Sequence, residues 1–526
     1  MGKKIAVIDF ETDPFLFGRL PRPFAWGFFD GEIYTSFWQA DAWNNNKCAE
    51  QLCKFLEEYP EPLLILAHNG GKFDFLFFIE KLGGSIKIVN GRILEAKLGK
   101  HTLRDSYAIL PVPLAKAGGK KEIEYSKMER DCRDDHKEEI MEYLRYDCLS
   151  LFDLCQAFYA EFGDVLTIGG AAMRELKKFH KFEAANESFD KLFRNYYFGG
   201  RCQCFETGVI KTAVKGYDLN SSYPDTMKNR LHPVSVGHTL TRNVNKKSSF
   251  VCWRGENYNA VPVRTKTGLD FTQETGIFWS TVHEFNAAEN AGMIRPARIV
   301  HAVEFEQTAT FEDFIDHFYT ARLAAKADKD IFHEIFYKLI LNSSYGKFAQ
   351  SPDNFQDSII LPYGDVAPEP YMIEFTSGNY SIWSKPSMVK TYFNVATAAS
   401  ITGGARATLL TGLANAVRPL YCDTDSIYCE ALNADLHQSN LGAWKHEFTG
   451  DSIAIAGKKL YAVMGGDKCL KTASKGVRLN HEQIYRIARG DVIEARNDAP
   501  TFKLDGKHIF ISREVKRTGI KKAALC

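Results

Sequence analysis

Residues 421–429, YCDTDSIYC, set two carboxylates, Asp423 and Asp425, two positions apart within a run whose flanks are aromatic, branched or otherwise apolar. In an extended strand residues i and i+2 point to one face, so both acids would crowd one patch while Thr424 points away. Charges so placed repel unless a cation lies between them, and the apolar flanks make unpaired carboxylates costly, which favours a metal site over a plain hairpin tip. A second pair, Asp9 and Glu11, lies in the opening run IAVIDFET. Asp74 closes AHNGGKFD directly after the apolar run LLILA, and Asp147 follows Tyr143 by four residues in a helical pattern, where i and i+4 share a face. Four carboxylates at element ends can hold two divalent cations about 3.5–4 Å apart. That arrangement activates water and stabilises the leaving oxygen in phosphodiester hydrolysis, and Tyr143 would orient the water.

Several elements must position these acids. Residues 1–165 alternate short apolar runs with amphipathic stretches such as KEEIMEYLRYDCLSLFDLCQAFYAEF, the pattern of an α/β domain. Residues 166–204, with a GG pair at 169–170 and YYFGGR at 196–201, read as a passage between domains. Short β-like runs dominate residues 205–300, and 311–346 reads as two helices broken at KADKD. Residues 357–383 suggest strands joined by Pro/Gly-rich turns, and a long helix over 394–416 precedes the strand of Asp423. In YDLNSSYP, Asp218 ends a β-like run and Tyr223 follows five residues later, within reach of a sugar. In KLILNSSYGK, Lys338, Asn342 and Tyr345 recur at i, i+4 and i+7 and define one helical stripe. A Lys and an Asn at its apolar centre suit a triphosphate better than a core.

The bulk properties narrow the function classes. A chain of 526 residues exceeds one compact core, and about two to four domains are expected. Apolar content of 45% and charged content of 25% are those of a soluble globular protein. Net charge is only +1, so an electrostatic footprint for nucleic acid must come from local clustering, which the Lys- and Arg-rich segments 458–478 and 503–522 supply. Twelve scattered cysteines with no CxxC pair point away from a zinc ribbon or disulfide framework and toward a reducing, cytoplasmic compartment. The sequence has no apolar run of transmembrane length, and its first residues do not resemble a secretory signal.

Together DFET, HNGGKFD and YLRYD resemble the three exonuclease motifs of family B DNA polymerases, whose proofreading domain has a ribonuclease H-like fold. The resemblance implies metal ligation by Asp9, Glu11, Asp74 and Asp147, and DNA contacts from Asn69 and Phe73. DSYAILP at 105–111 is similar to a strand-holding segment of small phage polymerases and implies a DNA contact from Ser106, although Tyr107 replaces the usual leucine. Lys120, with Lys121 as its rival, would stabilise the cleaved phosphate. YDLNSSYP, KLILNSSYG and YCDTDS resemble polymerase motifs A, B and C in the expected order, with Ser222 in place of the usual leucine of motif A. By that pattern Asp218 and Asp425 are the main ligands of two Mg²⁺ ions, for which Mn²⁺ can substitute, and Asp423 supports them. Tyr223, Arg322, Lys326, Lys338, Asn342 and Tyr345 would meet the incoming dNTP.

Lys459 and Tyr461 in KKLY resemble a primer-gripping motif, and Tyr197, Gly199 and Gly200 fit the YxGG element of the protein-primed branch. The fold implied is an α/β and α+β multidomain chain: a 3′–5′ exonuclease domain (1–165), the passage with YxGG (166–204), and a right-hand polymerase. The hand divides into palm with motif A (205–226), palm and first insert (227–310), fingers (311–348), second insert (349–390), palm with motif C and KxY (391–477) and thumb (478–526). The partners implied are primer-template DNA, dNTPs and a terminal priming protein, with no membrane and a monomeric enzyme. The alternatives are a lone 3′–5′ exonuclease with a degenerate polymerase half, a family B polymerase primed conventionally or needing no primer, and a non-enzymatic DNA binder resting on the basic tail.

Overall fold

The structure, a computed structural model, describes residues 3–39, 47–117, 122–266, 268–352, 355–387 and 392–519. Strand β1 (Lys4–Thr12) pairs antiparallel with β2 (Pro23–Phe29) and parallel with β4 (Leu63–Ala67), which runs parallel to β7 (His101–Asp105). β3 (Tyr34–Trp38) edges this sheet beyond β2, while β5 (Gly83–Val89) and β6 (Arg92–Leu98) extend it beyond β7. Alternation along β1 splits its side chains between two cores. Val7 packs toward helix α2 (Lys137–Phe162), and Ala6, Ile8 and Phe10 pack toward helix α1 (Lys47–Glu58). The expected α/β domain is thus present, with its acidic strand central.

The second insert is not free-standing. Its strand Gln356–Pro362 pairs with β5, and Tyr380–Pro386 and Met372–Thr376 follow outward, giving one ten-stranded sheet. Ile360, Tyr380 and Ile382 are buried in the first domain's core beside Leu504 of the thumb, whose carbonyl accepts a 2.6 Å hydrogen bond from the Tyr380 hydroxyl.

The palm is a seven-stranded antiparallel sheet. In spatial order it runs Lys468–Ser474, Leu460–Gly465, Trp444–Gly457, β9 (Gly208–Leu219), Ser426–Leu432, Ala416–Asp423 and β8 (Cys202–Cys204). β8 therefore brings residues assigned to the inter-domain passage into the palm. The rest of that passage is structured too: helix α3 (Ile168–Phe179) shares a core with the fingers, Ala172 and Leu176 lying in one cluster with Phe336 and Ile340. The fingers are the two expected helices, Glu312–Ala327 and Ile331–Phe348. The first insert builds a four-stranded sheet backed by the helix Val282–Asn290.

Helix Val395–Ala414 is buried on nearly every side, as its run of Ala, Gly, Ser and Thr allows. Leu409 and Leu413 reach the palm core, Leu410 the first insert's core, and Ala398 and Ile401 the core shared with the fingers. Among the described residues no helix is long and apolar enough to cross a membrane. The thumb helix His481–Arg489 packs on palm strands, and beyond it Phe502 meets Phe73 and Phe77 of the first domain at ring-centroid distances of 5.3 and 6.0 Å.

One glycine of HNGGKFD is dictated by close approach. A Cβ on Gly71 would lie 1.8 Å from the Ile93 carbonyl oxygen of β6, a backbone atom that cannot swing aside. Gly71→Ala is expected to destabilise the first domain by about 3 kcal/mol, the upper end for overpacking, read as a lower urea midpoint with an unchanged slope.

Candidate active sites

Asp218 stands near the end of β9, paired with Ser426 on one side and Lys445 on the other. The strands Ala416–Asp423 and Ser426–Leu432 close over a two-residue turn, Thr424 and Asp425, with Asp423 opposite Ser426. This corrects the strand reading of DTD: Asp423 ends a strand and Asp425 lies in the turn, so the acids converge at a hairpin tip rather than along one strand face. Thr424 adopts φ +62°, a left-handed conformation that costs a β-branched residue strain, as held backbones at functional sites do. Several contacts hold it there. The Asp425 amide donates to Asp423 O at 2.7 Å, the Leu219 amide donates to Asp425 O at 2.8 Å, and the Thr424 amide donates to Arg201 O at 2.6 Å. A Cβ on Gly200 would come within 2.9 Å of the Thr424 side chain, which explains the second glycine of YFGG. Gly199 is exposed, and its carbonyl and that of Phe198 accept from Arg406. Tyr197 is half-buried, and its carbonyl accepts from Arg264.

Burial pushes the Asp218 carboxyl up to about 7, with Asp425 and Glu447 adding to it, and burial followed by Asp423 pushes Asp425 up to about 6. Lys459 Nζ lies 2.8 and 2.7 Å from the two oxygens of Asp423. With Asp423 so paired, Asp218 and Asp425 are the two acids left without a lysine in contact among the described residues. Glu447, which sequence reasoning passed over inside LGAWKHE, is the extra residue of a bulge in Trp444–Gly457, with Lys445 and Lys471 3.6 and 3.3 Å away. Tyr461, expected at the primer, is buried beneath the sheet with its hydroxyl 2.7 Å from that of Tyr428; it supports the palm and is not available to DNA.

The Tyr223 and Tyr345 rings stack at 4.2 Å and 20°, and the charge of Asp425 is felt at both phenols. Lys338 and Asn342 lie on the exposed face of their helix, not at an apolar centre. Arg322 is half-buried with Nη2 3.7 Å from Glu334, and Lys326 is exposed one turn on.

In the first domain, one ligand atom each of Asp9, Glu11 and Asp147 lies within 4.8 Å of the others. Asp74 stands outside that trio. It is fully buried, its Oδ1 has no hydrogen-bond partner among the described residues, and burial, then Asp105, pushes its carboxyl up to about 7. A buried acid with an orphaned oxygen suits a second metal ligand. Burial, then Glu11 and Asp147, raises the Tyr143 phenol, which also bonds Tyr125, a partner sequence reasoning missed. Ser106 is a correction: it is buried, its hydroxyl 3.0 Å from His68 Nδ1 and 3.3 Å from Ala67 O, so it cannot touch a strand directly and instead fixes His68. Asn69 is half-buried with φ +66°, and Phe73 sits edge-on to Phe15, Phe77 and Phe502. Lys120 and Lys121 lie outside the described residues.

His68, Phe73 and Tyr143 join the acidic trio in lining a cleft of about 1110 Å³ that Arg478 and Arg496 of the thumb close. A second cavity of about 650 Å³, lined by Lys458, Lys459, Lys475, Arg513 and Lys516, lies between palm and thumb, where basic clustering was expected.

The raised acids fix a sign. Asp74, Asp218 and Asp425 hold protons in the folded state that unfolded carboxylates release near pH 4, so stability without metal falls as pH rises from about 4 to about 7. In chelator the thermal midpoint is expected to drop over that window. Asp425→Asn should flatten the drop, and saturating divalent ion should reverse it.

A family profile described as DNA polymerase type B, organellar and viral, matches residues 119–429. The chain is 50% identical to the DNA-directed DNA polymerase of Enterobacteria phage PRD1 over 98% of both chains, and 24% identical to the DNA polymerase of Bacillus phage M2 over 70% of this chain and 68% of that one. Among solved structures it is similar to Phi29 DNA polymerase complexed with single-stranded DNA (TM-score 0.72, 18% identity, 98% and 100% covered) and to the same polymerase with primer-template DNA and incoming nucleotides (TM-score 0.72, 18% identity, 98% and 100% covered). The last two likenesses establish the fold. The profile match and the PRD1 relative place the chain itself: it belongs to the organellar and viral type B DNA polymerases.

Proposed function

We propose that this type B polymerase extends DNA at the Asp218–Asp425 centre, proofreads 3′ to 5′ at the Asp9–Glu11–Asp74–Asp147 centre, and starts its chains on the hydroxyl of a priming protein. The observation that carries the reading is the existence of two separate acid clusters: Asp9, Glu11 and Asp147 line the cleft of the first domain, and Asp218 and Asp425 meet at the hairpin tip of the palm sheet, beside the Asp423–Lys459 pair whose lysine lines the second cavity. Type B polymerases use divalent metal ions, and Mg²⁺ is the proposed occupant of both centres. Asp218 and Asp425 would hold the paired Mg²⁺, which would lower the pKa of the primer hydroxyl and stabilise charge developing at the α-phosphate.

The protein's own residues supply the rest. Asp423, held by Lys459, keeps the hairpin tip in register. The Tyr223 ring, stacked on Tyr345, forms the floor under the incoming sugar and base, and the exposed Lys338 and Lys326, with the half-buried Arg322, approach the triphosphate from the fingers. In the first domain burial, then Glu11 and Asp147, holds the Tyr143 phenol in its protonated form, from which it would donate a hydrogen bond that orients the attacking water. Primer-template DNA would run through the basic cavity between palm and thumb.

Protein priming is supported by the YFGG element seated against Thr424 and by relatives among phage polymerases, including those of PRD1 and Bacillus phage M2. The first insert is the proposed contact for the priming protein, and the second, fused to the exonuclease sheet, the proposed strand-displacement element. The enzyme is proposed to act as a monomer in the host cytoplasm.

Asp425→Asn should lower nucleotide incorporation by about a hundredfold or more while single-strand degradation stays measurable, and Asp147→Ala should do the reverse. Matched loss of both activities in either folded variant would count against separate centres. Template-dependent extension, run with and without a candidate priming protein, is expected to yield a nucleotide–protein adduct that survives denaturing electrophoresis. Efficient extension of a DNA primer with no adduct would instead favour conventional priming.

A further inference from the structure

Loop 13–22, between β1 and β2, carries DPFLFGRLPR and follows directly on the DFET acids. It is fixed at several points. The Asp13 amide donates to Arg22 O at 3.2 Å, and the buried Asp13 carboxylate accepts from Arg130 Nε at 3.0 Å and Arg133 Nη1 at 2.9 Å. The Arg19 guanidinium donates to both oxygens of Glu129, at 2.6 and 3.0 Å, and Gly18 turns the tip with φ +83°. Phe17 is taken up by the thumb, 5.4 Å from the Phe510 ring and with the Arg496 guanidinium 5.2 Å from its centroid.

Phe15 is left. Phe15 is 46% exposed, lines the hydrolytic cleft beside Asp9, Glu11, Tyr143 and Asp147, and its ring contact among the described residues is edge-to-face with Phe73, at 5.8 Å and 88°. A large apolar ring held open at the mouth of the cleft offers its face to a flat apolar partner, and the strand proposed to enter that cleft supplies one in each base. We infer that Phe15 is a positioning residue on which a base of the single-stranded 3′ end stacks as it enters the cleft. The inference deepens the proofreading proposal and rests on it. Stacking on a ring is tolerant of base identity, as removal of any mismatched terminus requires.

The test compares wild type, Phe15→Ala and Phe15→Trp in two assays. One is binding, in Ca²⁺, of a single-stranded oligonucleotide carrying 2-aminopurine near its 3′ end; the other is single-turnover degradation of the same strand in Mg²⁺. Phe15→Ala is expected to weaken binding by about 5- to 150-fold and to relieve the stacking-dependent quench of 2-aminopurine, while Phe15→Trp retains both. Wild-type binding and quench in Phe15→Ala would overturn the inference. So would equal losses in Ala and Trp variants with lowered thermal midpoints, since the ring would then only support the loop. Binding and quench by wild type without any shortening of the strand would defeat the hydrolytic reading while leaving the stacking contact standing.

Discussion

The crowding of Asp218 and Asp425 is the constraint from which the rest of the molecule follows. Burial, and then the neighbouring acids, lifts the two carboxyls to about 7 and 6, more than the lysines around them offset. Lysine is available nearby, yet Lys459 is spent on Asp423, and Lys445 and Lys471 flank Glu447. The arrangement leaves negative charge that the divalent cation of the proposed function would meet. Holding acids in that state requires a rigid frame, and the frame is made by backbone: Leu219 N to Asp425 O, Thr424 N to Arg201 O, and the seven-stranded sheet behind them.

Rigidity at the hairpin tip is inherited from further away. Arg406, on the buried helix Val395–Ala414, forms an almost fully buried ion pair with Glu284, at 2.7 Å, and donates to the carbonyls of Phe198 and Gly199. Such a pair adds little net stability over a well-packed apolar substitute, because desolvating both ions offsets their attraction. What it contributes is position. Glu284 sits in the first turn of a helix of the first insert and completes a capping box with Thr281. The first insert, the YFGG backbone and the Thr424 turn are therefore linked through one guanidinium, so any partner bearing on the insert acts on a segment that touches the catalytic tip.

Where the sequence had a clean period, it was legible. β1 with Asp9 and Glu11, the Tyr143–Asp147 helical face and the two fingers helices emerged from spacing of 2 and 3.6 residues, since each has one face on a core. The reading failed where period and geometry part. Asp and Ser are turn formers, but Thr424 takes a left-handed φ that its β-branched type disfavours, so the sequence favours the strand reading over the hairpin tip that the structure shows. Glu447 sits in a bulge, which breaks alternation at the very residue whose aim matters. Ser106 and Tyr461 show a different limit: a motif names residues that a site needs without saying which touch the ligand and which hold those that do. Pairing of Gln356–Pro362 with β5 was out of reach because neither strand's pattern encodes its partner across the intervening chain.

The two cavities meet where palm and thumb join. Val477 lines both, with Lys475 facing the palm side and Arg478 the cleft of the first domain, so a single segment of backbone separates the two. The partition is fastened at its far end, where Phe502 lies against Phe73 and Phe77 and the Leu504 carbonyl accepts from Tyr380. Burial of aromatic edges of this kind contributes about 0.5–1.5 kcal/mol per pair beyond area, enough to hold a docked tip without locking it. Under the proposed function, a frayed 3′ end leaving the palm would follow a wall that carries positive charge on both faces and exchange one acidic centre for the other along the thumb.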